Sequence, residues 1–376
     1  MRSVVAALVT CALAGPVHAI DIRSSEETFL KIDLLMQPWI ALTNDPLSDT
    51  DLASDFFLRR TRLILSGQVV SGVGFFFETD NPNWGKGGNY TPDLYIQDAF
   101  VTFDLGEHHK LDLGMLLPPF VHQARQGATN LHTLDYHGDV IKFPKPNKAW
   151  RDMGVELRGL VLDHRLDYRL SITNGKVGAA DDIPRFSARV AWNFFDAEEA
   201  NFLGGTYLGK KKVLSIGIAA DTQPDIVAGG ETYYALGADV FWDIPLGDDR
   251  VSGQVDLVHY RGLDGKVPQL DTNGQPVVDA AGNPVLVDAL TDTTGTGVLF
   301  DCGYAFGKWE PLVALAWFHP EGADFQGDLL GVHLGLNYWM EGHAANVKLD
   351  LGLVKAAGRD FGDATRSLTL QTQLLF

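Results

Sequence analysis

The stretch Arg185-Phe186-Ser187-Ala188-Arg189-Val190-Ala191-Trp192-Asn193-Phe194 decides the fold. Its even positions are Phe, Ala, Val, Trp and Phe, whereas its odd positions carry Arg185, Ser187, Arg189 and Asn193 around Ala191. A period of two puts these sets on opposite faces of a β-strand. In a soluble β-sandwich, the competing fold, two guanidinium groups would point into a dry core at a heavy desolvation penalty. A closed barrel with lipid outside and water inside removes the conflict.

The same reading extends along the chain. Val347-Leu349-Leu351-Leu353 alternates with Asn346-Lys348-Asp350-Gly352, and Leu330-Val332-Leu334-Leu336-Tyr338 alternates with Gly331-His333-Gly335-Asn337. The last strand ends on Phe376. On this template sixteen strands are predicted, near 28–42, 56–67, 72–79, 94–104, 110–117, 151–160, 166–173, 185–194, 213–220, 232–243, 250–260, 297–304, 309–318, 329–339, 346–354 and 367–376. The segment Pro311 to Phe318 has no clear facing. Connections alternate in length, with 43–55, 80–93, 118–150, 174–184, 221–231, 261–296, 319–328 and 355–366 forming the longer set. Short periplasmic turns, long extracellular loops and an even strand number are the marks of an outer-membrane barrel. One connection on the short side, 195–212, breaks the pattern and is expected to hold a small helix or an extra ribbon. Strands running toward the short turns end in outward Phe103, Phe194, Trp242, Tyr304, Tyr338 and Phe376, as an interfacial aromatic girdle requires.

Composition narrows the function classes. The 376 residues carry 30 Lys and Arg against 48 Asp and Glu, a net charge of -18, which argues against a nucleic-acid partner. Cys11 and Cys302 are too few for a disulfide scaffold or a thiolate metal site. Residues 1–19 combine Arg2, an apolar run from Val4 to Ala14 and the small-residue ending Val17-His18-Ala19, a cleaved signal peptide, so that 20–376 is expected to be the barrel. Beyond it no apolar run reaches the ~18 residues of a membrane-spanning helix.

Phe56-Phe57-Leu58-Arg59-Arg60-Thr61-Arg62-Leu63 resembles the arginine-rich second strand of the phosphate-selective porin O and P family, and Gln97-Asp98-Ala99-Phe100-Val101-Thr102-Phe103 is similar to its fourth. Gly114-Met115-Leu116-Leu117-Pro118-Pro119-Phe120 resembles the opening of its third loop. Arg151-Asp152-Met153-Gly154-Val155, Tyr168 through Asn174-Gly175, and Gly237-Ala238-Asp239-Val240-Phe241-Trp242 continue the likeness in order. The resemblance implies a sixteen-stranded homotrimeric channel with an inward-folded third loop, in contact with outer-membrane lipid and lipopolysaccharide. Phosphate selectivity carries over less well, because the family often has a Lys near the position of Leu117 and denser Arg and Lys ladders than this acidic chain.

Two sets of cations are candidate determinants of permeation. Arg60, Arg62, Arg158, Arg169, Arg185 and Arg189 face inward on this assignment and could form a track for anions. Glu78, Asp98, Asp112, Asp152, Glu156, Asp167, Asp239, Asp256 and Asp350 face inward too, so cross-strand pairing that braces the wall explains the same arginines equally well. The 118–150 connection holds Arg125, Lys142, Lys145 and Lys148 against Asp135 and Asp139, a locally cationic stretch in an acidic chain. Folded into a pore, it would be the constriction; as a solvated loop, it would not. His122, His132 and His137 in it match no metal-ligand spacing, the five aspartates of 261–296 fit no calcium loop, and no cofactor is expected. No Gly-X-Ser-X-Gly nucleophile motif is present, and no enzyme is expected.

The expected function is a passive outer-membrane diffusion channel of a Gram-negative bacterium for small hydrophilic solutes or inorganic anions. The competing function is a non-conducting barrel that binds a partner protein or surface ligand through its long loops, chiefly 261–296.

Overall fold

Alternation converts into ladder register once neighbouring strands pair, because a slip of one residue would turn every apolar side chain of a strand toward water. The computed structural model describes residues 20–44, 52–141, 150–175, 183–227, 231–262, 266–268, 277–279, 282–288, 294–321 and 327–376. Its strands are β1 (Ile20–Arg23), β2 (Phe29–Asn44), β3 (Ala53–Val70), β4 (Val73–Asp80), β5 (Tyr95–Asp104), β6 (His109–Leu116), β7 (Asp152–Val161), β8 (Leu166–Thr173), β9 (Arg185–Asn193), β10 (Val213–Val227), β11 (Glu231–Leu246), β12 (Asp249–Arg261), β13 (Lys266–Pro268), β14 (Leu286–Asp288), β15 (Gly295–Phe306), β16 (Trp309–Pro320), β17 (Leu329–Trp339), β18 (Ala345–Lys355) and β19 (Thr365–Leu375).

Sixteen of these, β2 to β12 and β15 to β19, form one antiparallel barrel in which each pairs with its sequence neighbours. The ring closes between β19 and β2, from Arg366 opposite Asn44 to Leu375 opposite Leu35. Leu34 and Phe376 exchange backbone hydrogen bonds of 2.6 and 3.1 Å, which locks the C-terminus into the seam. β1 folds back on β2 through the register Ile20↔Ile32 and continues the seam toward the short-turn end. Closure pairs each of the sixteen barrel strands on both sides, the condition for strands in hydrocarbon.

Short reversals join strands at one end. Gly247 and Gly307 take φ of 72° and 57° in the tight turns between β11 and β12 and between β15 and β16, a conformation that β-branched residues resist. Outward side chains such as Leu170, Ile172, Ile218, Leu236, Leu257, Leu334 and Leu351 are exposed and form the apolar belt. Phe194, Tyr304 and Phe376 are exposed at the short-turn end, where Trp309 packs 4.5 Å from Tyr338. Within 261–296, β13 and β14 pair as a small ribbon outside the barrel.

The lumen differs from the sequence expectation in one respect. A polar or glycine inner face holds from Gly331 to Asn337 of β17 and from Asn346 to Gly352 of β18, but β11, β12, β15 and β16 turn Tyr233, Ala235, Val258, Tyr260, Leu299, Ala316 and Phe318 inward. This explains why the facing of Pro311 to Phe318 is unreadable in sequence. Its outward face meets lipid while inward Leu312, Ala314, Ala316 and Phe318 are buried against protein, so both faces are apolar.

Candidate functional site

The apolar patch inside the barrel is a seat for the connection after β6. Phe120, Val121, Ala124, Val140 and Ile141 pack on it and are buried. The wall is shaped by missing side chains: a Cβ on Gly237 would stand 2.3 Å from Val121, one on Gly297 2.8 Å from Val140, and one on Gly303 2.6 Å from the His132 ring. Residues 120–124 and 140–141 therefore lie against the inner wall of β10 to β16, and 128–135 cross the lumen toward β17 to β19, β2 and β3. Polar clamps hold the rest. Lys348 Nζ donates to the carbonyls of Leu131 and Thr133 at 2.7 and 2.8 Å, and Asn337 donates to that of His132 at 2.9 Å.

His132 fixes the centre of this loop. Its Nδ1 lies 2.7 Å from Asp301 and its Nε2 3.4 Å from Glu310, all three buried. Burial alone would depress the imidazole, but the Glu310 charge and the hydrogen bond to Asp301 overcome it and push the value up to about 10. Folding thus favours the protonated ring. Its stabilisation is complete below the ordinary value of 6.5 and is lost as pH rises toward about 10. His132→Gln should lower the midpoint of thermal or guanidinium unfolding, with the gap from wild type widest near pH 6 and closing toward pH 10. A gap independent of pH would show that the ring acts by shape alone.

The other two loop histidines go elsewhere. His122 stacks on Phe241 at 4.0 Å and bonds Glu198 at 2.9 Å; burial lowers its affinity for a proton, Glu198 raises it, and the carboxylate prevails. His137 packs 5.2 Å from His333, and burial together with that neighbour brings it down to about 4. Among the described residues no group of three or more His, Cys, Asp or Glu is placed to hold a metal ion.

Glu198 belongs to the connection 194–212, which holds neither a helix nor a ribbon, contrary to the expectation above. It enters the lumen from the short-turn end and pairs with the inward loop. Leu203 donates to the Arg125 carbonyl at 2.9 Å, Gly127 donates back to Leu203 at 3.0 Å, and Gly205 donates to the Asn130 carbonyl at 2.9 Å. Thr206 Oγ1 ties it to the wall by donating to Asp243 at 2.9 Å, Ser215 of β10 donates to Glu198 at 3.2 Å, and Tyr207 donates to Glu198 within the connection at 2.8 Å. Its tip residue Phe202 reaches inward Phe76 at 5.3 Å, which in turn stacks on Phe100 at 5.5 Å. Polar backbone partners inside the lumen replace a helix's internal bonds.

Arg125, expected as a constriction charge, is fully buried beneath this junction. It donates to the carbonyls of Leu117 and Asn201, the latter at 2.8 Å, and lies 3.5 Å from Glu156. It joins loop, turn and wall instead of meeting solute. Lys142, Lys145 and Lys148 lie outside the described residues. The six wall arginines all project inward, each beside a carboxylate: Arg60 on Asp135 at 2.5 Å, Arg62 on Glu78 at 2.5 and Asp80 at 2.8 Å, Arg158 on Asp112 at 2.6 Å, Arg169 on Asp167 at 3.3 Å, Arg185 on Asp221 at 2.6 Å, and Arg189 on Asp239. Arg169, Arg185 and Arg189 are almost fully buried, so their pairs brace the filled half of the barrel.

Space remains on the opposite side, along β2 to β7. A cavity of about 640 Å³ at the long-loop end is lined by Arg59, Arg60, Arg62, Lys86 and Arg151 against Asp80, Asp93 and Asp135. A second, of about 590 Å³ toward the short-turn end, is lined by Lys31, Arg62, Lys110, Arg151 and Arg158 against Asp33, Glu78 and Asp104. Arg62 and Arg151 are the residues common to both linings, and Arg151 is held on Asp98 at 2.8 Å. Neither Arg151 nor the Phe76, Phe100 and Phe202 cluster was singled out as functional from sequence. The inward register of two phenylalanines was the available signal.

No family model and no curated protein matches the sequence. Solved structures do. An anion-selective porin from Comamonas acidovorans superposes with a TM-score of 0.62 at 13% identity, over 93% of this chain and 100% of that one. Salmonella typhi OmpF in complex with daunomycin gives 0.58 at 10% identity, over 95% and 100%. The outer-membrane channel DcaP of Acinetobacter baumannii gives 0.58 at 13%, over 94% and 99%. At such identities the likeness concerns the fold. With its closed ring of sixteen strands and its apolar belt, the chain has the fold of these outer-membrane β-barrels.

Proposed function

We propose that the protein is a passive diffusion channel for small hydrophilic solutes that favours anions, and that it assembles as a homotrimer of the kind the resemblance to the phosphate-selective O and P porins implies. The observation that carries the anion preference is the lining of the two cavities. Each presents five cationic side chains against three acidic ones, in a chain whose net charge is -18. Charges beside a narrow path act directly on each passing ion, whereas charges on outer loops are screened within about 8 Å at physiological ionic strength. Local charge therefore outweighs global charge. The inward loop supports this reading by filling the β10 to β16 side and leaving the arginine side as the path. Lys142, Lys145 and Lys148 extend the same cationic loop and are proposed as secondary contributors at the neck.

Reconstitution in a planar bilayer under a potassium chloride gradient tests the proposal. Stable conductance steps are expected, with a zero-current potential of the sign set by chloride. Silence from protein that migrates as a folded barrel before heating would instead favour a receptor or scaffold acting through the long loops.

A further inference from the structure

The charged neck between the two cavities is flanked by aromatic rings on both sides. Tyr95, Tyr136 and Trp150 line the cavity at the long-loop end, and Phe76, Phe100 and Phe202 line the one at the short-turn end. Guanidinium groups already lie over these rings: the Arg60 carbon is 5.5 Å from the Tyr136 centroid, and the Arg151 carbon is 5.7 Å from that of Phe202. Arg62, over nine-tenths buried, uses its terminal nitrogens on Glu78 and Asp80, while its Nε–H is buried without a partner. A buried donor left unpaired is unfavourable and is relieved by an acceptor brought from outside.

Resting on the channel reading above, the geometry points to a binding station for small arene carboxylates at this neck. The carboxylate would accept from Arg62 and Arg151, and the ring would lie against Phe76 and Phe202. Inorganic phosphate fits less well, since it needs donors around its whole surface and the phenylalanine cluster offers none. An aliphatic carboxylate of the size of acetate finds the charge but not the rings. The rings serve a solute that has a π face of its own, for which offset or edge contacts add to area burial. Phe202 is delivered by the inserted 194–212 connection, so the station exists only because two separate connections meet inside the barrel.

The test is block of chloride current through the reconstituted full-length channel by benzoate, cyclohexanecarboxylate, acetate and phosphate at constant ionic strength and pH 7. Benzoate should half-block at a concentration about five- to tenfold lower than cyclohexanecarboxylate, which matches its size without a π face, and lower still than acetate or phosphate. Phe202→Leu, which keeps apolar bulk, should narrow the ratio between benzoate and cyclohexanecarboxylate to near one. Equal block by those two acids in the wild type, or strongest block by phosphate, overturns the station while leaving the channel standing. Absence of current from folded protein overturns the channel and the station together.

Discussion

Shortening the inserted connection should enlarge the pore. Asp196 and Lys212 are already joined by a backbone hydrogen bond of 2.9 Å, and Phe194 donates to Leu214 at 2.9 Å, so residues 197–211 can be replaced by Asn-Gly without disturbing the ladder between β9 and β10. A type I′ turn suits that geometry. The replacement removes Phe202 from Phe76, Asn201 from Arg125 and Glu198 from His122. Single-channel conductance is expected to rise roughly two- to threefold, because the current through a water-filled pore follows its narrowest cross-section. The inward loop loses its backbone partner at Leu203 and should become noisier, visible as open-channel fluctuations. Heat-shifted gel mobility establishes that the barrel still closes. Unchanged conductance in a folded variant would place the turn outside the permeation path.

Neutralising the neck should reverse ion preference. Arg62 and Arg151 are the cations common to both cavities, and they face Glu78, Asp80 and Asp98. The double variant Arg62→Gln and Arg151→Gln leaves those carboxylates without their counter-charges and takes each lining from five cations against three anions to three against three. The freed carboxylates then dominate the narrow path, and the zero-current potential in a salt gradient should cross from the chloride side to the potassium side. Breaking a buried pair by removing one partner costs about 3–5 kcal/mol where water is excluded, and less beside an aqueous cavity, so the unfolding midpoint should fall while the barrel still assembles. Changing Lys142, Lys145 and Lys148 to Gln should shift the potential less. If the lysine triple variant moves it more than the arginine pair, the neck lies at 142–148 and the wall arginines serve bracing alone.

Strand number, strand order and the outer belt were legible in the sequence, because they depend on a local rule. Along β9, lipid on one side and water on the other impose a period of two, and Arg185 and Arg189 cannot face hydrocarbon. Strand ends drifted most where chain leaves the bilayer, as in β10, which runs to Val227 although alternation marks it only to residue 220. There the two faces no longer meet different solvents. The contents of the lumen were decided by tertiary structure. Whether an inward Arg is a solute contact or a brace depends on which carboxylate lies across from it, and which loop residue is buried depends on wall residues far away in sequence. Sequence places Arg125 at the constriction, whereas the fold buries it against Asn201 and Glu156. Lys348 meets the Leu131 carbonyl across 217 positions. The seat for the inward loop is made partly of absent atoms, at Gly237, Gly297 and Gly303, and in sequence those glycines look the same as any that face water. Period-two patterning reports only which solvent a residue faces, whereas the shape and charge of the path arise where segments with no sequence relation to one another fill the same enclosed volume.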